Sequence, residues 1–119
     1  MPETKTYVGS CHCGAVRYEA KLTMERVIAC NCSICSKRGW FLTFTSPDHF
    51  TLVKGEGATT DYQFGKKNIH HLFCTTCGVA SYGWGTGKDG QKMISINARC
   101  LDDFDPKGVD VHEFDGKSR

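Results

Sequence analysis

The chain has 119 residues, 39% of them hydrophobic and 24% charged, with a formal net charge of +2. That suits one globular domain over residues 1–119 with a single modest core, which metal staples would help to hold. No apolar run is long enough to cross a bilayer, and no block of more than two lysines or arginines points to nucleic acid.

The opening Met1-Pro2-Glu3-Thr4-Lys5 leads into a polar segment without an apolar signal region. A cytoplasmic location is the expectation. In a reducing compartment, closely spaced cysteines read as metal ligands or redox groups before disulfides.

Thr6-Tyr7-Val8 and Ala15-Val16-Arg17-Tyr18-Glu19-Ala20 read as strands, the second alternating Val16 and Tyr18 with Arg17 and Glu19. Gly9-Ser10-Cys11-His12-Cys13-Gly14 lies between them, which puts a cysteine pair at a hairpin tip. Arg26-Val27-Ile28-Ala29 is a third strand, delivering Cys30-Asn31-Cys32-Ser33-Ile34-Cys35 at its end. Ser36-Lys37-Arg38-Gly39 is one helical turn or a loop.

Trp40-Phe41-Leu42-Thr43-Phe44-Thr45 is short, aromatic and β-prone, and reads as a buried strand. Pro47-Asp48-His49-Phe50 forms a turn with Phe50 inward. Thr51-Leu52-Val53, Thr59 to Phe64 and Ile69 to Phe73 follow as strands, separated by turns at Gly55-Glu56-Gly57 and Gly65-Lys66-Lys67-Asn68. Beyond Cys74-Thr75-Thr76-Cys77-Gly78 come strands at Val79 to Trp84 and Met93 to Ala98, with a glycine-rich turn through Gly90. Val109-Asp110-Val111 is a candidate edge strand. No segment has sustained helical periodicity, so the fold class is mainly β, with small antiparallel sheets, zinc knuckles and few short helical turns.

Seven of the eight cysteines fall into groups of two, three and two. The simplest division is a closed site from Cys11, Cys13, Cys74 and Cys77 and an open one from Cys30, Cys32 and Cys35. Closed tetrahedral zinc sites hold folds together, whereas three protein ligands plus an exchangeable position is the usual catalytic form. An open zinc with three donating thiolates suits binding a small thiol better than activating water. The competing reading makes both sites structural, with His12, His70, His71 or an acidic side chain as fourth ligand of the second.

His70 and His71 adjoin in a strand and must face opposite sides. Lys37 and Arg38 follow the triplet and are candidate contacts for a thiol substrate's carboxylates, or else solvated charges. Trp40, Phe44 and Trp84 read as core or pocket wall, and Cys100, without a knuckle partner, as a buried thiol.

The motif order Cys11-His12-Cys13-Gly14, Cys30 to Cys35, Phe73-Cys74-Thr75-Thr76-Cys77-Gly78 and Ile96-Asn97-Ala98-Arg99-Cys100-Leu101-Asp102 resembles the glutathione-dependent formaldehyde-activating enzyme family. The likeness spans Thr6 to Asp103, and the family shares its domain with centromere protein V. It implies a β-tent fold, with structural zinc on Cys11, Cys13, Cys74 and Cys77 and catalytic zinc on Cys30, Cys32 and Cys35. It also implies a reaction, addition of glutathione as co-substrate to formaldehyde to give S-hydroxymethylglutathione, formally a carbon–sulfur lyase run in reverse. The partners expected are a small thiol and an aldehyde, with no nucleic acid and no membrane. The alternative is a non-catalytic zinc-cysteine scaffold that binds a protein.

Overall fold

Strand β2 (Arg17–Leu22) carries the clearest pattern in the chain: Tyr18, Ala20 and Leu22 are buried while Arg17, Glu19 and Lys21 are exposed. Period-two alternation places these two sets on opposite faces of a sheet. β2 pairs antiparallel with β1 (Lys5–Ser10) on one side and β5 (Phe50–Lys54) on the other, giving a three-stranded sheet. In this computed structural model, residues 4–23, 26–64, 69–87, 89–102, 104, 105, 107 and 109–115 are described. The expected turn at Gly65-Lys66-Lys67-Asn68 lies outside them.

The second sheet has seven strands: β3 (Arg26–Cys30), β4 (Leu42–Thr45), β6 (Thr59–Tyr62), β7 (Ile69–Cys74), β8 (Tyr82–Thr86), β9 (Lys92–Asn97) and β10 (Asp110–Phe114). Their spatial order is β10-β3-β4-β9-β8-β7-β6. The protein is therefore mainly β. The sheet is larger than the small antiparallel ones expected, and it is mixed, because β10 runs parallel to β3. Val109-Asp110-Val111 was readable as an edge strand, but its direction depends on a long return path with no local signal.

The core lies between the sheets and centres on Tyr18, Leu22, Val27 and Ile96, each at most 2% exposed. Burying an aliphatic side chain of this kind contributes about 1.5–3 kcal/mol. Tyr18 packs on Phe50 and Tyr82 and donates its hydroxyl to the Ser81 carbonyl at 3.0 Å, linking the two sheets. Directly across the ladder stands Gly9, where a Cβ would lie 2.4 Å from the Tyr18 ring. Glycine is required there by the ring itself.

The segment after β9 returns to the first sheet. Asn97 accepts from the Arg99 amide and donates to the Ala80 carbonyl, so it caps the 3-10 turn Ala98–Cys100. Leu101 then bridges to Gly9, and the Asp102 amide reaches the Val8 carbonyl at 2.9 Å. The Asn97-to-Asp102 motif thus serves to tie the sheets.

The run Trp40 to Thr45 departs from expectation. Trp40 is buried, but the strand begins only at Leu42, the buried residues within it are Thr43 and Thr45, and Phe44 is 46% exposed. The threonine face packs toward β2, where Thr45 donates to the Lys21 carbonyl. Leu42 and Phe44 are left on the opposite face, where they border a cavity.

Candidate metal centres and the adjoining cavity

Cys11 and Cys13 sit at the tip of the β1–β2 hairpin, Cys74 ends β7, and Cys77 lies in the turn after it. Both knuckles use the same backbone device: the glycine after the last cysteine has positive φ, +83° at Gly14 and +78° at Gly78. A Cβ at either would touch nothing within 4 Å, so the requirement is conformational and not spatial. The tight turns aim amides at sulfur. Val16 donates to Cys11 Sγ at 3.3 Å, while Thr76 and Cys77 donate to Cys74 Sγ at 3.3 and 3.5 Å.

The four sulfurs all lie within 4.8 Å of one another, with Cys11–Cys13 at 3.7 Å and Cys13–Cys74 at 3.6 Å. Sulfurs about 2.3 Å from a tetrahedral zinc stand about 3.8 Å apart. A disulfide would need about 2 Å. The spacing fits four ligands round one ion.

The second cluster is built by a different local route. β3 ends at Cys30; Ser36 then donates its amide to the Cys32 carbonyl, opening the single turn α1 (Cys35–Arg38). Gly39, at φ +67°, closes that turn by donating to the Cys35 carbonyl. From the edge strand, the Phe114 carbonyl accepts from the Asn31 amide and Asp115 accepts from the Asn31 side chain. The three sulfurs of Cys30, Cys32 and Cys35 again lie within 4.8 Å of one another. Among the described residues no histidine nitrogen or carboxylate oxygen joins them.

In both clusters the sulfurs divide their protons unevenly. The Val79 and Cys13 amides pull the Cys77 thiol down to about 6. Cys13 feels the Ala15 amide in the same sense, but burial and three neighbouring sulfurs outweigh it and push it up to about 11. In the triplet, burial acts to raise Cys32, but hydrogen bonds from the Cys35 and Ile34 amides and the flanking sulfurs lower it overall. Burial first, then Cys32 and Cys30, raise Cys35. Closely packed sulfurs adopt this sharing until a cation takes the place of the protons. Soft thiolate sets of this size suit zinc.

The triplet opens onto a cavity of about 350 Å³, walled by Ile28, Leu42, Phe44, Phe64 and Ile69 with Trp40 and Arg38 at one side. Arg38 is turned inward. Its guanidinium lies 4.7 Å from the Trp40 ring centre, with Nη1 3.4 Å from His71 Nδ1 and Nη2 donating to the Leu72 carbonyl. Since arginine only donates, Nδ1 of His71 must accept, which leaves its proton on Nε2. Burial, and then the Arg38 charge, hold the His71 pKa below its ordinary value. Lys37 is exposed and is not among the residues bordering the cavity.

His70 and His71 face opposite sides, as adjacency in a strand requires. The His70 ring stacks on Trp84 at 3.8 Å and pairs with Asp61 at 2.6 Å. Trp40 and Phe44 are cavity wall, whereas Trp84 belongs to the other face. Cys100 is partly rather than fully buried; Asn97 donates to its sulfur at 3.5 Å, and burial pushes its thiol up to about 11. The walls contributed by Ile28, Phe64, Ile69 and Ser95 had no signal in the sequence beyond apolar or small residues on strands. Only the strand order brings them beside the triplet.

Residues 6–115 match the family model described as glutathione-dependent formaldehyde-activating enzyme. A crystal structure of a Rhodobacter sphaeroides protein is similar, with 29% identity and a TM-score of 0.76, covering 87% of this chain and 98% of that one. With the family model matching nearly the whole length, and both cysteine clusters assembled, this chain belongs to the glutathione-dependent formaldehyde-activating enzyme family.

Proposed function

We propose that the protein is a zinc-dependent carbon–sulfur lyase-type enzyme that joins a small thiol, with glutathione the leading candidate, to formaldehyde or a related aldehyde. The observation that carries this reading is the three-sulfur cluster, which meets no fourth ligand among the described residues and opens into a cavity. Residues 1–119 act as one domain with two zinc ions, the closed one structural, in the cytoplasm.

When bound by Cys30, Cys32 and Cys35, zinc supplies the Lewis acidity that keeps an incoming thiol deprotonated near neutral pH. The chain's own groups do the rest. The apolar walls exclude water and favour the neutral carbonyl compound. In the addition, sulfur bonds to the carbonyl carbon, the π pair moves to oxygen, and oxygen takes up the proton that the thiol gave up. His71 is held neutral with a proton on Nε2, the form that can donate to an oxygen developing negative charge. Arg38 positions His71 through Nδ1. Of the two basic residues after the triplet, Arg38 borders the cavity but spends its guanidinium on His71 and the Leu72 carbonyl, while Lys37 is exposed and outside the lining.

The test is to titrate glutathione into cobalt-substituted protein and follow the thiolate charge-transfer bands. A change at one of two sites, with hemithioacetal formation accelerated above the uncatalysed rate, is expected. No change at millimolar thiol would overturn the enzymatic reading and favour the protein-binding scaffold, which the exposed Phe44, Phe64, Ile69 and Met93 would then serve.

A further inference from the structure

The cavity beside the triplet is larger than formaldehyde requires and less polar than glutathione requires. Its volume of about 350 Å³ is within the usual range for organic ligands. A carbonyl of two heavy atoms would fill little of it. No acidic side chain borders the cavity among the described residues, and the cation that does, Arg38, is already committed to His71 and the Leu72 carbonyl. Placing the carboxylates and ammonium of glutathione against Ile28, Leu42, Phe44 and Ile69 would strip them of water without replacing it.

The floor of the cavity has a shape that strand register explains. Phe44 on β4 stands opposite Ser95 on β9, and Ser95 opposite Gly83 on β8. Extending the β7–β8 register by one pair places His71 opposite Gly83. The row therefore reads large, small, none, large across four neighbouring strands. With strands about 4.8 Å apart, Phe44 and His71 stand about 14 Å apart over a shallow floor, a slot wide enough for a planar ring. Nothing larger than glycine fits at the third position, because a Cβ on Gly83 would lie 2.6 Å from the His70 carbonyl oxygen.

A second depression, of about 490 Å³, meets the first at Ile34, Arg38 and Trp40 and brings Tyr62, Asn97 and the Gly78 backbone to its surface. It is the more polar of the two, so the peptide-like body of a thiol such as glutathione loses less hydration there. With the thiol's body on that side, the slot is left to the substituent on the carbonyl carbon.

We infer that the carbonyl substrate carries an aryl or branched alkyl group, seated in the slot between Phe44 and His71 above Ser95 and Gly83. This rests on the proposed thiol–carbonyl addition and names its substrate class. The product is a hemithioacetal: the thiol sulfur bonds to the carbonyl carbon, the carbon–oxygen π bond breaks, and oxygen receives the thiol proton. No oxidant or reductant takes part.

The zinc-loaded protein is assayed at fixed glutathione with formaldehyde, benzaldehyde and 4-carboxybenzaldehyde, alongside binding of the unreactive benzyl alcohol followed by ligand-observed NMR. The expected kcat/KM for benzaldehyde exceeds that for formaldehyde by tenfold or more, the scale on which an apolar pocket discriminates. The carboxylated ring falls back by at least as much. Benzyl alcohol binds the wild type, and Ser95→Leu, which fills the floor, weakens that binding at least tenfold. Should Ser95→Leu fail to fold, Phe44→Ala is read in the same binding experiment, with the same loss expected.

If glutathione perturbs the cobalt site but benzaldehyde is no better than formaldehyde and benzyl alcohol does not bind, the substrate class is wrong and the addition reaction stands. If the thiol leaves the cobalt site unchanged, the addition reaction fails and this inference fails with it. A wild type that sediments as a dimer with benzyl alcohol excluded also overturns it, since the apolar face would then be covered by a second copy.

Discussion

Replacing Cys77 with serine should cost much of the protein's stability, whereas replacing Cys32 should mainly cost the second metal. The four-cysteine cluster joins Cys13 to Cys74 across 61 positions, pinning the first hairpin to the end of β7. Treated as a chain cross-link, a loop of that length restricts the unfolded state by about 4 kcal/mol. A domain this size has a margin of about 5–15 kcal/mol. At about 4 °C per kcal/mol, the loss corresponds to a fall in Tm on the order of 15 °C. The Cys30-to-Cys35 span is only six residues, for which the same relation gives about half as much. Zinc content and thermal melting by circular dichroism, measured on both variants and on wild type with chelator, decide the matter. Equal falls in Tm for the two variants, or a Cys77→Ser protein that keeps the wild-type Tm after losing its metal, would refute the cross-link argument.

The remaining predictions concern single groups. Tyr18→Phe removes one of two donors to the Ser81 carbonyl, leaving the Asn97 amide, and should lower stability by about 0.5–1.5 kcal/mol, read as a shift in urea midpoint with unchanged slope; no shift would mean that the hydroxyl does not tie the sheets. Gly78→Ala meets no neighbour yet should cost about 1–2 kcal/mol, because φ near +78° is unfavourable for an L side chain, and a neutral result would contradict the backbone account of the knuckle. His71, whose pKa is lowered by burial and then by Arg38, should remain neutral below its ordinary 6.5. The unfolded chain takes the proton more readily, so this group's contribution to stability is complete above pH 6.5 and is lost as pH falls through the folded value. An NMR titration checks this, and Arg38→Ala should move the His71 midpoint upward.

What the sequence made legible was local. The alternation of Tyr18, Ala20 and Leu22 with Arg17, Glu19 and Lys21, the hairpin that presents Cys11 and Cys13, and the knuckle at Cys74 and Cys77 all follow from residues near in the chain. The two cysteine clusters assemble with the membership their spacing suggested. The reading failed where neighbours come from distant strands. Trp40 to Thr45 looks buried because it is apolar, yet the threonines face inward and Phe44 faces the cavity. The parallel pairing of β10 with β3 and the slot formed by Phe44, Ser95, Gly83 and His71 depend on sheet order, which no short segment encodes. The charge of Arg38 is plain in the sequence, but its inward turn onto His71 and Trp40 depends on where β7 lies.

Catalysis at the triplet requires an accessible second ion, and anomalous diffraction at the zinc edge tests that directly. Two peaks per chain are predicted, one enclosed by Cys11, Cys13, Cys74 and Cys77, the other held by Cys30, Cys32 and Cys35 with water or added thiol completing its coordination. A second peak completed by a fourth protein side chain, or none at the triplet in zinc-saturated protein, would contradict the account.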